Sequence, residues 1–259
     1  MSGRYDSRFM DSIKTGSARS AEIFLDELAP LVETLPHSAV DIGCGSGTWA
    51  AAFSARFPGA EVRGVDGTYV DRDNLLIDPA NFQAHDLTLP LPADRRFGLA
   101  ISLEVAEHLP SASGPDLIRT LVDHADHVLF SAAIPGQGGE FHINEQPLEY
   151  WRNLFRAHSY VAVDYLRPIL RADHRVEPWY RYNSVLYVRA ERLSDLPAPL
   201  SAAIVPADMP LAEMASPWWR TRCAVLRRLP AGMILAMARI KRRILTRMHL
   251  VARLQQATS

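Results

Sequence analysis

Residues 39–53 read AVDIGCGSGTWAAAF: a short apolar segment, three closely spaced glycines, then an alanine-rich segment. A short apolar run is a buried strand and the alanine-rich stretch favours helix, so the glycines turn a strand directly into a helix N-terminus. A strand that hands over to a helix in this way returns to its sheet by a crossover, which makes the sheet parallel. The alternation continues through the first 190 residues. After an N-terminal helix over 19–35, strands are expected near 38–42, 61–65, 81–84, 97–103, 126–134, 160–166 and 182–190. Helices are expected near 47–57, 70–77, 114–124 and 146–157. The last two strands are separated only by a loop containing Pro168 and Pro178, so they should pair antiparallel. The expectation is a Rossmann-like, doubly wound α/β fold with a seven-stranded, mostly parallel sheet and a C-terminal helical extension.

The pattern breaks at Leu193, where LSDLPAPLSAAIVPADMPLAEMASP reads as a proline-rich linker laid over the surface. Three parts follow: a domain over 1–192, the linker over 193–217 and a basic helical tail over 218–259. Charge divides the chain similarly. Residues 214–259 hold ten Lys and Arg and no acid, whereas all 29 acidic residues precede them, which leaves residues 1–213 at −11. Within 233–254, Met233, Met237, Ile240, Ile244, Met248 and Val251 recur at three- and four-residue steps among arginines, the pattern of a basic amphipathic helix. Such a helix suits peripheral contact with an anionic membrane surface, or docking on the protein's own acidic domain or on a partner subunit. Nucleic acid is disfavoured, because the acidic domain would repel phosphates around its own site. Cys44 and Cys223 have neither disulfide-framework nor metal spacing, and the first residues lack the apolar core of a signal peptide. No apolar run approaches a membrane span, and a reducing, cytoplasmic setting is expected.

What the glycine turn holds is constrained by what is missing. A phosphate loop needs GxxxxGK[ST], and no lysine follows these glycines. The spacing of Gly43, Gly45 and Gly47 is GxGxG, which also departs from the dinucleotide GxGxxG. Asp66 ends the second strand about twenty residues on, where a carboxylate can accept ribose hydroxyls. Asp86 ends the third, suitably placed for an adenine amino group. The fourth ends in SLEVAEHL, which carries Glu104, Glu107 and His108.

With these four segments in order, VDIGCGSG, GVD, AHDLTLPLP and SLEVAEHL, the chain resembles the class I S-adenosylmethionine-dependent methyltransferases over residues 17–190. The resemblance implies S-adenosylmethionine as cofactor, with Asp41, Gly43, Cys44, Gly45, Gly47, Asp66, Asp86 and Glu104 around it. This ligand has no phosphates. Glycines let the backbone approach its methionine portion, Asp41 offers negative charge toward its ammonium, and Cys44 is a small residue that fits.

Transfer of a methyl group to a hydroxyl needs alignment and a base. The loop FSAAIPGQGGEFHINEQPLEYW brings His142 and Glu145 to the C-terminal edge of the sheet, where open α/β folds bind ligands. His142 is the first choice of base, and His108 is the second candidate catalytic residue. Glycines in PGQGG suit a loop that closes over substrate, and Tyr150 and Trp151 suit an acceptor pocket. The competing reading makes His142 and Asn144 loop anchors and the aromatics core. No metal ligand is assigned. EVAEH at i, i+3 and i+4 nevertheless offers Glu104, Glu107 and His108 on one helical face with His142 opposite, and it is similar to a pattern in small-RNA 2′-O-methyltransferases and ubiquinone-pathway O-methyltransferases, with which metal use is associated. The expected function is O-methylation of a small hydroxylated acceptor, such as a saccharide or natural-product intermediate. RNA 2′-O-methylation and a non-catalytic cofactor-binding module are the alternatives.

Overall fold

The computed structural model describes residues 7–230 and 232–233. The chain runs α1 (Ser7–Val32), β1 (Ser38–Ile42), α2 (Thr48–Arg56), β2 (Glu61–Asp66), β3 (Phe82–Ala84), β4 (Leu99–Leu103), α3 (Gly114–His124), β5 (His127–Ser131), α4 (Leu148–Ala157), β6 (Tyr160–Val163), α5 (Leu166–Leu170), α6 (Pro178–Asn183), β7 (Val185–Arg189), α7 (Ala198–Ser201) and α8 (Pro217–Leu226). The seven strands form one sheet in the order β3-β2-β1-β4-β5-β7-β6, parallel except for β7, which is antiparallel to both neighbours. The strand order reverses beside β1, so the switch point falls between β1 and β4, where such sheets bind ligands.

Alternation along the strands builds the two faces. Ala39 on β1 with Leu99, Ile101 and Leu103 on β4 pack against α1 and α2 through Phe24, Leu28, Trp49 and Phe53. On the other face Val40, Ile42 and Ala100 meet Leu117, Ile118 and Leu121 of α3 and Trp151 and Phe155 of α4. Strands β1, β4 and β5 are buried end to end, as a sheet covered on both sides requires.

Several expectations need correction. No α-helix forms over 70–77; the segment makes short turns of 3₁₀ helix at Arg72–Asn74 and Pro79–Asn81. Asp71 and Asp78 accept the amides two residues on (3.1 and 2.9 Å), local bonds that compete with helix. The link between the last two strands contains the short helices α5 and α6, although the antiparallel pairing holds. Trp151 is core, 5.3 Å from the Phe130 ring, so it does not line an acceptor pocket.

The stretch expected to be a surface linker is anchored. Leu196 and Leu200 are buried, the Val205 N–H donates to the Ala162 carbonyl (2.9 Å), and the Asp164 N–H donates to the Ala203 carbonyl (2.9 Å). These bonds cover the open edge of β6. The buried guanidinium of Arg152 then collects the carbonyls of Met209 (2.5 Å) and Pro206 (2.7 Å). Of the basic tail, α8 is described, and it packs Trp219 and Cys223 against Tyr182. The stretch expected to form an amphipathic helix over 233–254 lies outside the described residues apart from Met233. Among the described residues no helix is long and apolar enough to cross a membrane.

Candidate active site

The glycine turn is shaped for left-handed backbone. Gly43, Gly45 and Gly47 have φ of +85°, +55° and +82°. A Cβ on Gly43 would lie 2.3 Å from Val105 Cγ2, whereas one on Gly45 would meet nothing within 4 Å. Gly43 is therefore required by the protein's own packing, and Gly45 faces open space. The turn is tied to β2 by the Gly43 N–H on the Val65 carbonyl (2.7 Å) and by the Gly45 N–H on Asp66 Oδ2 (2.7 Å).

Three carboxylates meet this turn or its neighbourhood. Asp41 shares a face of β1 with Ala39 and is buried, and its Oδ2 has no hydrogen-bond partner. Burial, helped by the charge of Asp66 and opposed by the Ala50 amide, pushes its carboxyl up to about 7. Asp66 is buried at the end of β2, and its Oδ1 accepts the Gly67 N–H (2.6 Å) and the Tyr69 hydroxyl. Asp86 is exposed beyond β3 and its Oδ1 accepts the Thr88 N–H (3.0 Å) and hydroxyl (2.8 Å), which hold it below the usual range. Cys44 is buried and its thiol is pushed up by burial and by Asp41 and Asp66, which makes it a packing residue rather than a nucleophile.

The second half of the site is built where β4 and β5 end. Glu104 has φ +57°, unusual for a residue with a side chain. Its Oε1 accepts the Ser131 hydroxyl (2.8 Å) and its Oε2 accepts the Gln137 amide (2.6 Å). Glu107 is completely buried and neither carboxylate oxygen has a hydrogen-bond partner. Burial lifts both carboxyls, and the Glu104 carboxyl beside Glu107 lifts that one well above the ordinary range.

The loop after β5 folds back on this pair. The Ile143 and Asn144 amides donate to the Glu107 carbonyl (2.8 and 3.1 Å), which sets the His142 ring 4.9 Å from the His108 ring, edge to face. One ligand atom each from Glu107, His108 and His142 lie within 4.8 Å of one another. His142 Nδ1 is 3.0 Å from Glu145 Oε1. Burial pushes the Glu145 carboxyl up, but His142 and the amides of Gly136 (2.7 Å) and Gly138 (2.8 Å) outweigh it and keep it ionised. An ionised carboxylate only accepts, so in this contact His142 donates from Nδ1, which leaves Nε2 as the other ring atom able to meet an acceptor molecule. Gly139 makes room for the ring, since a Cβ there would be 2.2 Å from Nε2. His108 is exposed on one side, yet the surrounding protein and the adjacent imidazole push it down to about 4, which leaves it neutral.

The sequence thus named most of the residues that converge here, and it missed three. Tyr69 and Gly139 act through fold-specific contacts. Gln137, buried between two left-handed glycines, carried a signal in PGQGG that was read only as loop flexibility.

A glycine turn at the switch point of a seven-stranded sheet, with acids at the ends of β1, β2 and β4, defines a class I S-adenosylmethionine-dependent methyltransferase. Residues 17–172 match the methyltransferase domain family, and the chain belongs to it. The comparison with curated protein sequences gave no match. Among solved structures, DesVI of Streptomyces venezuelae is similar with a TM-score of 0.54 and 14% identity, over 72% of this chain and 100% of that one. An O-methyltransferase family protein from Burkholderia thailandensis gives 0.51 and 12%, over 72% and 61%. Magnesium protoporphyrin IX methyltransferase (ChlM) from Synechocystis PCC 6803, solved with bound SAM, gives 0.50 and 17%, over 72% and 86%. At these identities the likeness is one of fold.

Proposed function

We propose that the protein methylates a hydroxyl oxygen on a small acceptor, with S-adenosylmethionine held by Asp41, Gly43, Gly45, Gly47, Asp66, Asp86 and Glu104 and with His142 as the base. The cofactor supplies a methyl group on a sulfonium, an electrophile that leaves a neutral thioether behind. The fit is chemical: the partnerless Asp41 Oδ2 suits an ammonium, the space over Gly45 suits the methionine portion, and Glu104 follows β4 at the switch point. For the acceptor, His142 Nε2 takes the hydroxyl proton as the oxygen gains the methyl group. Glu145, on Nδ1, stabilises the imidazolium that results.

The observation that carries this reading is the His142–Glu145 pair at 3.0 Å, because an imidazole oriented by a carboxylate beside the switch point is what a hydroxyl acceptor needs. The test is turnover to S-adenosylhomocysteine over a panel of hydroxylated small molecules. His142→Ala should lower kcat by about 10² to 10⁴ on any substrate found, with cofactor affinity kept. An unchanged kcat would dismiss His142 as the base.

One observation favours a second reading. Glu107 is buried with two partnerless oxygens beside two imidazoles, and a divalent cation bound by Glu107, His108 and His142 would satisfy it. Such a cation would supply Lewis acidity toward the acceptor oxygen. Full activity in chelator, with no metal in the purified protein, would leave only the histidine-base reading.

A further inference from the structure

Gln137 is bonded on four sides. Its side-chain amide donates to Glu104 Oε2 (2.6 Å), its side-chain oxygen accepts from Asn183 Nδ2 (2.7 Å), its N–H donates to the Ile134 carbonyl (2.9 Å), and its carbonyl accepts from Arg222 of α8 (2.7 Å). Its neighbours Gly136 and Gly138 have φ of +85° and +68°, so no local regular structure sets its position. α8 supplies one. A Cβ on Gly136 would lie 2.2 Å from the Cys223 carbonyl oxygen, so the loop lies backbone against backbone on this helix. Arg222 is braced over the Trp219 ring, 5.0 Å from its centroid, and Trp219 packs on Tyr182 at 5.9 Å.

Glu104 needs such support. A left-handed conformation at a residue with a side chain persists only where its surroundings over-determine it. Ser131 provides one restraint and Gln137 the other. Gln137 is in turn held by a helix at 217–226, beyond the 17–172 stretch that matches the methyltransferase family.

We infer that Arg222 of α8 is a positioning residue for the cofactor site, holding the loop so that Gln137 aims the Glu104 carboxylate. The inference rests on the proposed placement of Glu104 toward S-adenosylmethionine. It makes a segment outside the matched family region part of the binding machinery.

Calorimetric titration of the full chain with S-adenosylmethionine tests this, with unliganded thermal stability measured on the same samples. Arg222→Ala should weaken binding about tenfold, within the range of a lost hydrogen bond from a charged group. Arg222→Lys, which can still donate one hydrogen bond to the Gln137 carbonyl, should recover affinity to within about twofold of the unmodified protein. Gln137→Ala should weaken binding similarly, and the double variant should be no weaker than Gln137→Ala alone, because one route cannot be broken twice. Gly136→Ala, which pushes the loop off α8 by a different contact, should reproduce the Arg222→Ala loss. Unchanged affinity in Arg222→Ala, no recovery with lysine, additive losses in the double variant, normal affinity in Gly136→Ala, or a loss explained wholly by a smaller folded fraction would each overturn the inference. If the unmodified chain fails to bind S-adenosylmethionine, the cofactor placement itself falls instead.

Discussion

Alanine placed at Gly43 and at Gly45 should give opposite phenotypes. Both residues sit at positive φ, +85° and +55°, so alanine at either pays for left-handed backbone, about 1–2 kcal/mol. At Gly43 the added methyl would also lie 2.3 and 2.6 Å from the two γ carbons of Val105, an overpacking term of about 1–3 kcal/mol more. The sum, about 2–5 kcal/mol, corresponds to a fall in Tm of roughly 4–20 °C for a chain of this size. Gly45→Ala has no such neighbour and should lose only about 2–8 °C. Binding reverses the order. If the methionine portion lies over Gly45, a methyl there intrudes on it, and about 1–3 kcal/mol of overlap weakens S-adenosylmethionine about 5- to 150-fold. Folded Gly43→Ala should lose less affinity than Gly45→Ala, because its methyl meets Val105 rather than open space. Thermal denaturation without ligand and calorimetric titration with S-adenosylmethionine read the two effects separately. Wild-type affinity in Gly45→Ala would show that the open space belongs to something else, and equal stability of the two variants would show that Val105 yields without cost.

Other outcomes follow from the same contacts. Asp41 holds a proton up to about pH 7 in the folded protein, far above its unfolded value of 3.8, so its contribution to unliganded stability is present at low pH and is lost as pH rises through about 7. An ammonium ligand requires the ionised form, so S-adenosylmethionine affinity should rise about tenfold per pH unit from 5 to 7, and Asp41→Asn should flatten that dependence; a profile identical in the variant refutes the assignment. Gly139→Ala should displace the His142 ring and lower turnover while cofactor affinity stays constant, and full turnover would place the base elsewhere. A chain ending at residue 200 should be destabilised, because it uncovers β6 and strands the Arg152 guanidinium without its carbonyl partners, whereas one ending at Pro230 should stay folded and keep its S-adenosylmethionine affinity; circular dichroism melts compare them. Loss of salt-sensitive binding to anionic vesicles by the chain ending at Pro230, relative to the full chain, is the outcome expected if the arginine-rich segment serves membrane contact.

The sequence alone determined the order of the seven strands and of the helices α1 to α4, because strand and helix periodicities are local properties and the glycine turn, the spacing to Asp66 and the acids of EVAEH lie within or beside single elements. It erred where a local bond outweighed composition, as at Asp71 and Asp78, whose side chains turn the backbone before a helix can nucleate. It also erred where a distant partner decided the role. LSDLPAPLSAAIVPADMP has the composition of a free linker, yet an arginine more than forty residues upstream and the open edge of β6 hold it down. The sequence already set His142 opposite Glu107 and His108, but only the folded chain could set Glu145 on its Nδ1, or pass a hydrogen bond from Arg222 through Gln137 to Glu104 across more than a hundred residues. Such bonds depend on where loops come to rest after the sheet has closed, and loop position is set by burial and by hydrogen-bond partners that leave no periodic trace in the sequence.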